Sequence, residues 1–270
     1  MAEDGAAVSV PEGSAVNTRS RLRRLIASRF ALVWPLAVLL VLAVSPGVAH
    51  AQLPFSRSGM LTGIDVSHWQ GYIRWSVVAD AGVKFAIAKA TDGRSFTDSR
   101  YSRNHSRATA VGIRFGAYHF ARPDSTYRDA VREADFFLDT ANLAGSNLLP
   151  ALDLEVTGAL GNTALTAWVK KWLMRVEMRL GVKPMIYTTA SFWKDRLGNT
   201  TWFAANGYRV LWIAHWGVDS PNVPAADWNS HSWTFWQVSS RGKIPGIDGY
   251  VDVDLFDGLD LSRALIKNNR

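Results

Sequence analysis

Two acids stand two positions apart in the run 150-PALDLEVTG-158: Asp153 and Glu155. The run otherwise reads as a buried strand, apolar and bounded by Pro150 and Gly158. Strand side chains alternate faces, so the spacing predicts that both carboxylates point the same way. Unpaired buried charge is costly, so such a pair needs a use. Crowding raises the pKa of one member, which can then donate a proton near neutral pH while the other stays ionised beside developing positive charge. Cleavage of a glycosidic bond needs that division, because its leaving oxygen takes up a proton and its transition state resembles an oxocarbenium ion. The spacing alone leaves the alternative open that both acids pair with Arg or Lys, or cap loops.

Such acids need a scaffold. Eight short β-like runs recur, at 62–67, 84–90, 114–120, 149–156, 184–189, 210–216, 234–239 and 251–256. Helical patterns separate the early ones, at 73–82, 99–112, 125–142 with Ser125 as N-cap, 163–181 and 191–198. The clearest carries Leu165, Trp168, Val169, Trp172, Leu173, Val176 and Leu180 at helical spacing and stops at Gly181. Strand–helix alternation predicts parallel β-α units in a single α/β domain. Eight strands with five helices predict a closed barrel without its last three helices. Catalytic groups in such barrels lie at the C-terminal ends of the strands. Asp65, Asp153, Glu155 and Asp252 are expected there, with Asp254 on the same face as Asp252. Strand eight closes on strand one, which would bring Asp252 toward Asp65.

Other chemistries find less support. His68, His119 and His215 fall near strand ends, but H-E-x-x-H and the D-x-D-x-D-G calcium loop are absent. No metal or other cofactor is expected. Neither G-x-S-x-G nor a phosphate-binding glycine loop occurs. The formal net charge is +7, but the basic residues are scattered, so nucleic acid is not an expected partner and an anionic cell wall is. A monomer is the default expectation.

The chain opens with a basic stretch, 19-RSRLRRLIASR-29, then an apolar run, 30-FALVWPLAVLLVLAV-44, then Ala49-His50-Ala51. That order predicts a signal peptide over residues 1–51, cleaved after Ala51, and a secreted domain over 52–270. The apolar run is short for a membrane span, so no stable membrane association is expected after cleavage, although an uncleaved anchor is the alternative. There is no cysteine, so the exported domain must rest on its core.

Seven pieces in order carry a family resemblance: 63-GIDVSHWQG-71, 82-GVKFAIAKATDG-93, 112-GIRFGAYHFARP-123, 150-PALDLEVTG-158, 185-MIYTTASFW-193, 211-LWIAHW-216 and 235-FWQVSSRGKIPGIDGYVDVDLFDG-258. The chain resembles glycoside hydrolase family 25, the Chalaropsis-type lysozymes that cut peptidoglycan. The resemblance implies a TIM-like (β/α)5β3 barrel and a muramidase acting on bacterial cell-wall peptidoglycan by a retaining, substrate-assisted route. It implies Glu155 as general acid/base, Asp153 as its partner acid, and Asp65 and Asp252 as supporting acids. Tyr118, Tyr187, Trp236 and Trp216 are implied as substrate-binding residues. The family pattern is departed from at Asp92, where glutamate is usual, and at Asp254, where asparagine is common.

Overall fold

The computed structural model describes residue 53 and residues 55–267. The expected leader, its apolar run and its cleavage site lie outside the described residues. None of the described helices is long and apolar enough to cross a membrane.

Nine strands form one sheet: β1 Met60–Val66, β2 Phe85–Asp92, β3 Phe96–Thr97, β4 Arg114–Phe120, β5 Ala151–Asp153, β6 Met185–Thr189, β7 Leu211–Ala214, β8 Phe235–Gly242 and β9 Val251–Asp257. Eight of them close into a barrel in the order β1-β9-β8-β7-β6-β5-β4-β2, with β1 returning to β2. The two-residue β3 only folds back on β2 as a short ribbon. Every other barrel pairing is parallel, but β9 runs antiparallel to both β8 and β1. The expected α/β barrel, TIM-like and in one domain, is the observed fold.

Helices α1 Trp75–Asp80, α2 Tyr101–Ala110, α3 Asp129–Ala141, α4 Asn162–Leu180 and α5 Ala190–Leu197 follow successive strands on the outside. Along α4 the residues Leu165, Trp168, Val169, Trp172, Leu173 and Val176 are buried, and Gly181 ends it at φ 69°, donating to Glu177 O. One boundary differs from the sequence expectation. Helix α3 starts at Asp129, because Asp124 accepts from the Thr126 N–H and holds residues 124–126 in a turn. Ser125 therefore caps nothing. Beyond α5 the described residues form only short helical turns besides the strands. The turn Pro224–Ser230 runs left-handed from Ala225 to Asn229, at about 1–2 kcal/mol per residue. Its Trp228 is buried and donates its indole N–H to Tyr208 O.

Two cores follow from strand alternation. Outward-facing residues such as Phe115, Leu152, Ile186, Ile213 and Trp236 pack under the helices. Inward-facing Phe85, Met185, Phe235 and Phe256 fill the barrel, and Leu261 and Ala264 cover its lower end. Gly63 belongs to this layer: a Cβ there would come 2.3 Å from the Phe85 ring. On β5, β6 and β8 the inward position becomes polar two residues further along. Met185 is followed by Tyr187, Ala151 by Asp153 and Phe235 by Gln237. Period-2 spacing thus builds an apolar plug beneath a polar mouth.

Candidate active site

The mouth is a cleft of about 280 Å³ at the C-terminal ends of the parallel strands. All four expected acids line it, as do Tyr118, Tyr187 and Trp216. Asp65 reaches it from the end of β1, in the segment 65-DVSHWQ-70. The Ser67 hydroxyl accepts the Trp69 N–H, and Gln70 Oε1 accepts the Ser67 N–H at 2.9 Å. This reciprocal cap turns the chain immediately after Asp65 and sends Trp69 out over the rim, 81% exposed.

Asp153 is the last residue of β5 and only 7% exposed. Its partner departs from the expected strand geometry. Strand β5 ends at Asp153, and Glu155 stands on the segment that follows, exposed at the mouth of the cleft. The chain bends there because Leu154 N–H donates to Tyr187 O and Gly158 packs against Pro123. Gly158 has φ +56°, and a Cβ on it would lie 1.4 Å from Pro123 O. The two acids still open into one cleft, but one is sheltered and the other accessible.

Asp252 lies near the beginning of β9 rather than at a C-terminal end. Because β9 is antiparallel, its beginning meets the ends of the other strands, and Asp252 sits opposite Asp65 in the β1–β9 register. Asp254 points inward one step deeper. It is fully buried, and its Oδ1 accepts the Trp212 indole N–H at 2.7 Å.

Five carboxylates therefore share this end of the barrel. Burial pushes Asp153 well above the usual carboxylate range, and the charge of Glu155 adds to it. Desolvation by the cleft walls raises Glu155 too, with the Tyr187 hydroxyl and Lys89 pulling it back. Burial and the charges of Asp252 and Asp254 raise Asp65, against the pull of Gln237. Asp254 is raised by burial, opposed by its bond from Trp212. Partial burial and the charge of Glu155 push Asp252 up to about 6. Of the D-x-E pair, the sheltered Asp153 is raised further than Glu155, because desolvation outweighs mutual repulsion.

Gln237 organises the centre. Its Oε1 accepts the Tyr187 hydroxyl at 3.0 Å and the Trp216 indole N–H at 2.9 Å, and its Nε2–H donates to Asp65 Oδ2 at 2.7 Å. Two donors on one side and an acid on the other fix the orientation of the amide. Lys89 lines the cleft as well and pairs with Asp92 at 3.2 Å. Arg122 holds the other side of Asp92 through two bonds of 2.7 and 3.1 Å. The shorter side chain at the atypical Asp92 thus keeps a partner on each side.

One expected site residue is corrected. Trp236 does not line the cleft: it is 1% exposed, faces the outer core, and donates its indole N–H to His215 O. Strand parity puts its neighbour Gln237 inside instead. Gln237, Lys89 and Trp69 are not among the residues expected from sequence. The signal for Gln237 is its parity with Phe235 on β8. The three histidines near strand ends do not converge. His119 is buried between Thr91 and Glu133, and His68 pairs with Asp98. Among the described residues no group of three or more His, Cys, Asp or Glu could hold a metal ion.

The family model for "Glycosyl hydrolases family 25" matches residues 64–247. The chain is 40% identical over 225 residues to "Lysozyme M1" of Streptomyces globisporus, covering 80% of this chain and 74% of that one. It is 32% identical to an "N,O-diacetylmuramidase" of Arthroderma benhamiae, over 82% of this chain and 93% of the relative. The solved bacterial lysozyme of Streptomyces coelicolor superposes with a TM-score of 0.69 at 38% identity, over 77% of this chain and 96% of that one.

Proposed function

This chain belongs to the glycosyl hydrolases of family 25, a glycosidase of the lysozyme type that hydrolyses peptidoglycan, and we propose that Glu155 is its proton donor. The bond cut is the β-1,4 link between N-acetylmuramic acid and N-acetylglucosamine. One observation carries the assignment: of the two D-x-E acids, Glu155 is exposed in the cleft and Asp153 is buried behind it. Glu155 is the more accessible of the two to a glycosidic oxygen.

Glu155 donates its proton to the leaving oxygen as the C1–O bond breaks. The substrate's own acetamido oxygen attacks C1 and forms a cyclic cation. Asp153, which lines the floor of the cleft, offers a carboxylate oxygen to the acetamido N–H. Water then adds to C1 and gives its proton to Glu155, so the product keeps its β configuration. Asp252, ionised above its pKa of about 6, keeps the cleft negative around the cation, and Gln237 holds Asp65 in place. Tyr118, Tyr187 and Trp216 line the path of the sugar chain. The protein acts outside the cell as a monomer, exported by its leader and free of the membrane after cleavage, with no nucleic-acid partner.

Clearance of purified cell walls by wild type and Glu155→Gln tests the donor. A fall of about 10²–10⁴ is expected in the variant, and equal clearance by both would remove Glu155 from the role. Muramic acid at the new reducing ends identifies the bond cut. An initial α-anomer in the product would end the retaining route.

A further inference from the structure

The end of the barrel opposite the mouth carries its own pocket. It holds about 370 Å³ and opens where β5, β6 and β7 begin, walled by the segments just before those strands and by residues 263–267. Lys183, Arg209, Arg263 and Lys267 line it, and among the described residues no Asp or Glu does. These four stand apart in sequence, yet the fold collects them on one small surface. Leu149, Val182 and Leu265 add aliphatic surface between them.

Two of the cations are held in place. Lys183 Nζ donates to Glu177 Oε1 at 2.6 Å and lies 4.5 Å from the centre of the Tyr208 ring, and the Tyr208 hydroxyl donates to Glu177 Oε2 at 2.7 Å. Gly207, at φ +92°, gives the lysine stem its path: a Cβ there would come 2.9 Å from Lys183 Cε. Arg263 donates to Asp257 O at 2.6 Å and to its Oδ2 at 3.2 Å, with the guanidinium carbon 5.0 Å from the centre of the Phe256 ring. Arg209 and Lys267 are exposed at the pocket. Four cations against these two carboxylates leave an excess of two positive charges.

Like charges gathered with too little counter-charge repel one another, so an anion stabilises the arrangement. Guanidinium and ammonium donors match phosphate oxygens, arginine through two bonds at once. Held and exposed cations side by side on aliphatic surface suit a flexible chain with phosphates at intervals. We propose that this far-end pocket binds phosphodiester groups of a polyanionic wall polymer, polyols joined by phosphate, apart from the glycan strand in the mouth. The choice of a wall polymer rests on the lysozyme reading, whereas the anion site rests on the four cations. Tethered this way, the enzyme stays at high local concentration beside its substrate between cuts.

The test titrates the protein with a soluble glycerol-phosphate oligomer, with inorganic phosphate and with single-stranded DNA of the same charge as the oligomer. Calorimetry compares wild type with the double variant Arg209→Gln/Lys267→Gln. Both side chains are exposed, so the variant is expected to fold, and circular dichroism checks this. Wild type is expected to bind the oligomer at least about tenfold more tightly than inorganic phosphate, and more weakly as salt rises. The double variant is expected to lose about tenfold in affinity for the oligomer. Equal affinity of folded variant and wild type would overturn the site. An oligomer held no more tightly than phosphate would overturn the polymer as occupant, and so would tighter binding of the DNA, which would assign the pocket to nucleic acid. NMR locates the site in wild type alone: the Gly207 amide signal is expected to shift with the oligomer and the Trp216 indole signal at the mouth to stay. A shift at Trp216 without one at Gly207 would overturn the proposal. The lysozyme reading fails separately, if wild type releases no reducing ends from walls stripped of phosphate polymer.

Discussion

Gln237 donates its side-chain N–H to Asp65 at 2.7 Å, reaching from β8 past β9 to β1. The same side chain takes a bond from Tyr187 and another from Trp216. One neutral residue thus ties a buried acid to two aromatic walls of the cleft.

Removing that tie should be felt in turnover. Gln237→Leu leaves Asp65 without its donor and two hydroxyl or indole hydrogens without an acceptor. Leaving a buried polar group unsatisfied costs about 1–3 kcal/mol, so kcat/KM is expected to fall roughly 10–100-fold. Steady-state kinetics on soluble glycan checks this, and a variant as active as wild type would show that Asp65 needs no anchor.

Asp254 gives a prediction in pH. Burial raises its pKa, so its folded-state value lies above the unfolded value. The folded protein therefore retains a proton that the unfolded chain releases, and stability falls as pH rises through that window. Asp254→Asn holds no such proton. Its advantage in Tm over wild type should widen from pH 4 to pH 7, reaching about 1 kcal/mol or roughly 2–4 °C. A gap that narrows with rising pH would mean that Asp254 is ionised in the fold.

Asp252 titrates within reach of ordinary assays. Its carboxyl is pushed up to about 6. Carbon-13 NMR of labelled aspartate should show a group titrating near that value, absent in Asp252→Asn. Glu155 raises Asp252, so Glu155→Gln should move this titration to lower pH. An unmoved midpoint would separate the two residues electrostatically.

Two tryptophans separate packing from recognition. Trp236→Ala opens a cavity in the outer core and should cost about 3–5 kcal/mol of stability. Trp216→Ala removes a half-exposed wall and should raise KM with little change in Tm. Thermal melts and kinetics on both variants check this, and the reverse pattern would restore Trp236 to the cleft.

The barrel and its acids are legible in the amino-acid sequence for a physical reason. The strands announce themselves because buried β residues are apolar, and the acids stand out because they interrupt apolar runs at period 2. Harder to read is what depends on a neighbour in space. Glu155 leaves the strand because Gly158 seats against Pro123, thirty-five positions earlier in sequence. Gln237 is easy to pass over beside Trp236, since an aromatic looks more like a sugar ligand than an amide does. Only strand parity assigns the amide to the cleft. Ser125 has the residue type of a cap, but Asp124 sets the local turn.

The reversal of β9 has a practical side. Its first residues supply Asp252 to the mouth, so its last residue, Asp257, pairs with Met60 at the opposite end of the barrel. The polypeptide enters β1 and leaves β9 through the same far end, where Leu265 pairs with Leu148. Anything fused or tethered after that exit, whether a dye, a resin linker or a second binding module, would trail behind the enzyme as it works along a wall and leave the mouth clear.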